Sequence, residues 1–291
     1  MHPAPSVILF TVLSGLGFGL LAFLGFGFPD VSGWVAFTYF FVAYALAVGG
    51  LLASTFHLGN PQRAIRAFSQ WRSSWLSREA WLSLLALLTM GGYGLGVIFL
   101  DIQIATLGWT GAALSLCTVF ATSMIYGQLK TVPRWNHWLT SAHFLALSVT
   151  GGALLAGQII LATVLLLLTG LLQISVWTQG DRRFAQRGHT LGTATGLGDR
   201  GSLRMFEPPH TGTNYLLQEL VYVVGRKHAL KVRTIALFLM SVLPAALLLF
   251  LPVVHLAAGL AVLSHLVGVI ASRWLFFAEA EHVVGLYYGK R

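Results

Sequence analysis

The sequence predicts an all-α membrane protein, a single bundle of eight transmembrane helices with both termini on the cytoplasmic side. Three observations predict it. The chain is 56% hydrophobic and only 9% charged, whereas a soluble domain carries about 25% charged residues to cover its surface. The charged residues gather in a few short stretches, and the apolar runs between them are about 20 residues long, enough to cross roughly 30 Å of hydrocarbon as a helix. Finally, lysine and arginine fall on alternate connections. A helix is the economical form for such runs, because backbone groups in lipid must bond within their own segment.

In chain order, the first span is Ala4–Phe28. Its apolar run from Val7 lacks a basic leading region and a twin-arginine pair, so it reads as a retained helix and not as a signal peptide. Trp34–Phe56, Ala80–Leu100 and Leu107–Leu129 follow. Trp135 to Gly180 contains no Asp, Glu, Lys or Arg, too long for one crossing. Gly157-Gln158 is the best break, giving Trp138–Ala156 and Ile159–Trp177. Thr234 to Ser272 is likewise uncharged. Pro252 divides it into Val232–Leu251 and Val254–Phe277. Trp34, Trp109, Trp138, Trp177 and Trp274 fall near span ends, where an aromatic belt places them.

Counting charge by side gives the orientation. Arg63, Arg66, Arg72 and Arg78 lie in the connection from Phe56 to Ala80, and Lys130 and Arg134 in the next one on that side. Arg182, Arg183, Arg187, Arg200, Arg204, Arg226, Lys227 and Lys231 lie in a long loop at about 179–231, with Arg233 at its edge. Arg273, Lys290 and Arg291 complete the 18 basic residues. The opposite side holds only Asp30 and Asp101. The positive-inside rule puts the basic face and both termini in the cytoplasm, in a bacterial inner membrane. Such a face attracts anionic lipid or receives a soluble partner. A loop of about 50 residues is long for a connection without a task. Its Gly-rich part, Gly188 to Gly201, follows no strand and matches no phosphate-binding loop, and nothing in the sequence suggests nucleic acid.

The single cysteine, Cys117, lies in an apolar span. It excludes a disulfide framework and any cysteine-ligated zinc or iron–sulfur cluster in this chain. His143, His255 and His265 lie in or beside spans, and pairs on different helices are able to ligate haem. His255 and His265, ten residues apart, are about 80° off a common helix face. No metal or haem is expected in this chain.

Two titratable groups flank the first basic connection: His57 closes the second span and Glu79 opens the third. Between them Ala64, Phe68, Trp71 and Trp75 recur at helical spacing, one apolar stripe with Arg63, Arg66 and Gln70 beside it. A short interfacial helix there roofs a pocket whose walls include His57 and Glu79. Such a pocket fits a quinone, an apolar ring whose oxygens exchange protons with groups titrating near neutral pH. In that reading His57 exchanges the proton, Glu79 relays it and Arg63 polarises a carbonyl. The spacing equally allows His57 as a helix cap and Glu79 paired with Arg78 or Arg63. Glu279, Glu281 and His282, at the basic end of the last span, read as solvated interfacial groups.

The stretch His57-Leu58-Gly59-Asn60-Pro61-Gln62-Arg63-Ala64, followed by Trp75-Leu76-Ser77-Arg78-Glu79, resembles the dimethyl sulfoxide reductase membrane-anchor family (DmsC-like). The resemblance extends to Thr131–Trp135, Glu207–Tyr215 and Arg273–Glu279, and covers nearly the whole chain. It implies an anchor subunit without its own redox metal. Its partners are a molybdopterin catalytic subunit and a four-cluster iron–sulfur subunit, and it exchanges electrons with ubiquinone or menaquinone. The family's quinone-site histidine, glutamate and motif arginine fall on His57, Glu79 and Arg63, with Arg78 beside them. Arg66, Arg182, Arg183 and His210 are the expected docking residues. The long basic loop and the Glu207–Tyr215 motif look more like the branch serving cytoplasmic sulfite oxidation (SoeC-like). An anchor running electrons the other way, for a sulfoxide reductase, and a membrane transporter are the alternatives. A transporter predicts charged residues or broken helices at mid-membrane, and the spans contain almost none.

Overall fold

Each predicted span is a helix in the computed structural model, which describes residues 1–56, 58–207, 210–212, 214–221, 227–252 and 255–289. Among these residues eight helices are long and apolar enough to cross a membrane: α1 (Pro5–Gly25), α2 (Gly33–Thr55), α3 (Trp75–Leu100), α4 (Ala105–Gly127), α5 (Trp138–Leu155), α6 (Ile159–Gln186), α7 (Ala229–Phe250) and α8 (His255–Ala278). The chain is a multi-pass membrane protein. Both expected breaks are present. Gly157 separates α5 from α6 at a φ of 67°, which glycine adopts without a Cβ penalty. α7 stops at Phe250, just before Pro252.

Two boundaries differ from the expectation. α3 starts at Trp75 rather than Ala80, so Arg78 and Glu79 are already helical. α6 continues past Trp177 to Gln186, with Trp177, Gly180 and Phe184 buried along one face. That spacing keeps an apolar stripe on the bundle while the charged residues turn outward. The belt is also partial. Trp34, Trp109 and Trp138 are exposed, but Trp177 is buried beneath the guanidinium of Arg233, 5.5 Å from its ring centroid.

α1 is the hub, packing against α2, α3, α4, α5 and α8. Small residues let the backbones approach. A Cβ on Gly17 would lie 2.3 Å from the Ala47 backbone nitrogen of α2, and one on Gly19 would lie 2.0 Å from the Ser148 carbonyl oxygen of α5. Ser148 reinforces the second contact by donating to the Gly15 carbonyl at 2.6 Å.

The chain ends meet on one face, as an even number of crossings requires. The N-terminal amine donates to the Ala280 carbonyl at 2.8 Å, and the Val283 amide to the Thr131 carbonyl at 3.0 Å. Part of the long loop packs here. Tyr287 donates to the Ala194 carbonyl, Asn214 to the Tyr288 hydroxyl at 3.1 Å, and His210 stacks on the Tyr288 ring.

Two histidines on this face link stability to pH. His137 caps α5 by accepting from the Leu139 amide, and His282 accepts from the Val284 amide. Burial lowers the pKa of both; Arg183 and Arg187 add to the shift at His137, the N-terminal amine at His282. The unfolded chain therefore takes up these protons first, near pH 6.5. The stability is complete above that pH and is lost as pH falls through the lower folded values. The unfolding temperature of the detergent-solubilised protein should drop between pH 7 and 5, less steeply in a His137→Asn, His282→Asn variant. An equal slope in both proteins would remove these two groups as the cause.

Candidate functional site

The connection between α2 and α3 is stitched to the start of α3 by side chains of α3 itself. Pro61–Phe68 forms a 3₁₀ helix, and turns lead on to Trp75. Arg78 donates to the Trp71 and Arg72 carbonyls at 3.1 and 2.7 Å. Trp81 donates to the Phe68 carbonyl at 3.1 Å, and the Gln70 amide donates to the buried Ser77 hydroxyl at 3.2 Å. These bonds satisfy backbone groups that a non-helical segment would otherwise leave open near lipid.

The result is an open cleft of about 550 Å³ lined by Phe68, Trp71, Trp75, Arg78, Trp81 and Leu82. Three of the four residues of the predicted apolar stripe form its wall. Phe68 meets Trp81 edge to face at 5.3 Å, and the Arg78 guanidinium lies 4.4 Å from the Trp75 ring centroid. Aromatic walls with one cation form an apolar slot with a single strong donor.

Glu79 follows Arg78 but faces the bundle, on the buried side of α3 with Ser77, Ser83 and Ala86. It is 4% exposed, and its carboxyl group shares a hydrogen bond with the Thr122 hydroxyl of α4. Neither expected ion pair forms: Arg78 is spent on the two carbonyls, and Arg63 stands exposed on the 3₁₀ helix. His57 lies outside the described residues. The structure thus brings Arg78 to the cleft and Glu79 behind it on the bundle side of α3, and leaves Arg63 exposed outside the cleft lining.

The family can now be assigned. A family model described as DMSO reductase anchor subunit (DmsC) matches residues 1–289. The chain belongs to this family. It is the membrane anchor subunit of an oxidoreductase complex. It is also similar to a sulfite dehydrogenase subunit of Allochromatium vinosum, at 30% identity over 99% of each chain. No solved structure matches it.

On the basic face of the anchor, four charged residues from distant parts of the chain form a closed network. Arg134 pairs with Asp181 and, at 3.3 Å, with Glu279. Arg233 holds Asp181 through two bonds of 2.7 and 2.8 Å and Glu279 through one of 2.7 Å. Glu279 is therefore no solvated end group; it is 5% exposed and bridges two guanidiniums. In the sequence, only the presence of Arg134 and Glu279 inside family-like motifs pointed here.

The expected docking residues of the anchor divide. Arg66, Arg182 and His210 are exposed. Arg183 donates to the Asn136 carbonyl at 3.0 Å, so it ties α6 to the connection between α4 and α5. Arg273 departs from expectation. It sits inside the bundle at 2% exposure, its guanidinium 3.5 Å from the Phe144 ring centroid, with Nε and Nη1 unpartnered among the described residues.

His265 has a local task. Pro244 has no N–H, so an α-helical bond to the Met240 carbonyl is missing. His265 Nδ1 donates to that carbonyl at 2.6 Å. Among the described residues no three His, Cys, Asp or Glu side chains converge as a metal site requires.

Proposed function

We propose that this anchor exchanges electrons and protons with a membrane quinone, and that its complex is a cytoplasmic sulfite dehydrogenase. The observation that carries the reading is Glu79. A carboxyl group enclosed one turn inside a membrane helix, behind an aromatic cleft, is expensive unless it has a task. The cleft's volume falls in the range of small-molecule sites. Its indole walls accommodate a flat ring, and Arg78, whose Nε and Nη2 hold the Trp71 and Arg72 carbonyls, offers its Nη1 as a charged donor to a ring oxygen. A bound quinone supplies two-electron, two-proton redox chemistry. Trp71, Trp75 and Trp81 hold the ring and exclude water. Arg78 orients the carbonyl oxygens, a task that Arg63 shares in this reading through its place in the sequence motif, while Glu79 and His57 hold the protons to be exchanged. His57 enters this reading through the sequence motif it opens.

In this reading the basic face is cytoplasmic, as the positive-inside rule requires. An iron–sulfur subunit with four clusters docks there, together with a molybdopterin subunit. The exposed Arg66, Arg182 and His210 mark the contact, with Arg183 bracing the surface beneath them, and anionic lipid surrounds it. Sulfite as the ultimate electron donor is supported by the similarity to the sulfite dehydrogenase subunit and by the long basic loop. The family description, which names a reductase, favours a second reading with electrons flowing from quinol to the partner. Addition of sulfite to membranes reduces the quinone pool in the first reading and leaves it unreduced in the second.

The site is tested with Glu79→Gln and His57→Ala in the purified complex. General acid–base groups contribute about a hundredfold or more, so quinone-coupled sulfite turnover should fall by that factor in each variant. Unchanged quinone-coupled turnover in both would remove the assignment.

A further inference from the structure

Arg273 has no place in the cleft, yet a guanidinium buried in a membrane bundle with no ion pair among the described residues is costly to keep. Its surroundings suggest what it serves. One cavity, of about 10 Å³, is lined by Thr11, Ser14, Thr122, Ser148 and Arg273 itself. The preceding residue on α8, Ser272, lines a second cavity, of about 20 Å³. It is lined by Thr140, His143, Gln173, Ser272 and Glu279. Each has room for about one water, and each offers the several polar partners a buried water needs. Arg273 Nε and Nη1 and His143 Nε2 are buried nitrogens with no partner among the described residues, groups that ordered water normally satisfies.

One cavity is lined by a carboxyl group, and the other by a hydroxyl bonded to one. The larger reaches Glu279, which the ion network connects to the half-exposed Asp181. The smaller reaches Thr122, which is hydrogen-bonded to Glu79. The Thr122 hydroxyl also lies 3.0 Å from the Thr118 carbonyl. It therefore donates to Glu79 when that group is ionised, or to Thr118 when Glu79 is protonated and itself donates. The contact holds in both protonation states of the acid.

We propose that these groups form a hydrated proton route from Glu279 on the basic face to Glu79, with Arg273 as a positioning residue. The proposal rests on the quinone reading above. Reduction of a quinone takes two electrons from the iron–sulfur partner and two protons. Glu79 gives up one of these, and His57 the other. Water in the two cavities then carries a replacement proton from the face to the Glu79 carboxylate. Arg273, in the wall of the smaller cavity and next in the chain to Ser272 in the wall of the larger, orders that water and offsets the negative charge left on Glu79.

Gln173→Leu and Arg273→Gln test the route in the purified complex. Gln173→Leu changes a polar cavity wall to an apolar one of similar size and touches neither the cleft nor Glu79. Both variants should lower quinone-coupled kcat at least tenfold, leave KM for quinone unchanged and raise the solvent deuterium isotope effect. Arg273→Lys should recover part of the rate. A merely structural role would not raise the isotope effect. If Arg273→Gln does not assemble, Gln173→Leu carries the test. Wild-type kcat and isotope effect in Gln173→Leu, in a preparation where Glu79→Gln is impaired, would overturn the route alone. Loss of the Glu79→Gln effect would instead overturn the quinone reading.

Discussion

Gly19→Leu should leave almost no folded protein in the membrane. The new Cβ would stand 2.0 Å from the Ser148 carbonyl oxygen, and Gly152 across the contact already meets the Gly19 backbone with no spare room. The obstructing atoms are backbone on both helices, so no rotamer change relieves the clash. α1 and α5 would have to separate, breaking the bond from Ser148 to the Gly15 carbonyl. Overpacking that side chains absorb costs about 1–3 kcal/mol; here the cost should exceed about 3 kcal/mol, because the hub helix itself is displaced. Size-exclusion of the tagged, detergent-extracted protein should show the monodisperse peak lost. Gly49→Leu is the control, since nothing lies within 4 Å of its Cβ position. A sharp peak and unchanged unfolding temperature for Gly19→Leu would refute the packing argument.

Removing Glu279 should be the most damaging single change in charge. Its side chain is 4% exposed and contacts both Arg134 and Arg233. Without it, two half-buried guanidiniums share Asp181 alone. Removing one partner of a buried pair costs about 3–5 kcal/mol, mostly because the remaining charge is left uncompensated. Asp181→Asn should cost far less, because Asp181 is 44% exposed and solvent replaces part of its interaction. The ordering of unfolding temperatures is therefore wild type, then Asp181→Asn, then Glu279→Ala. An equal loss for the two variants would show that burial does not set the strength of this network.

Span number and breaks were legible because they depend on local quantities. Apolar length selects a helix, and Gly157 and Pro252 interrupt it through their own backbone chemistry. The stripe Phe68, Trp71 and Trp75 was legible as a set of rings that line one cleft, but a 3₁₀ helix, turns and the start of α3 bring them together and not the single helix that their spacing suggests. Charge counting was less complete. It put Arg273 near the basic end of the last helix, where it lies, but did not show that the side chain is buried in the bundle, because a count by sequence position says nothing of which helix face packs inward. The early start of α3 was hidden as well, because Arg78 and Glu79 look like loop residues until their partners on the turn above and on α4 are known.

From its order of residues alone, this protein was bound to be an eight-span, unevenly charged membrane bundle with an aromatic, basic connection before the third helix. Those properties follow from segment length, side-chain polarity and helical period, each set within about 20 residues. Only the folded bundle decided that Glu79 meets Thr122, that Glu279 joins Arg134 to Arg233, and that Arg273 lines a small polar cavity with Thr122. The bonded partners lie 43 to 145 residues apart. Which of them touch depends on helix rotation and close backbone approach, properties of the packed whole that no local pattern encodes.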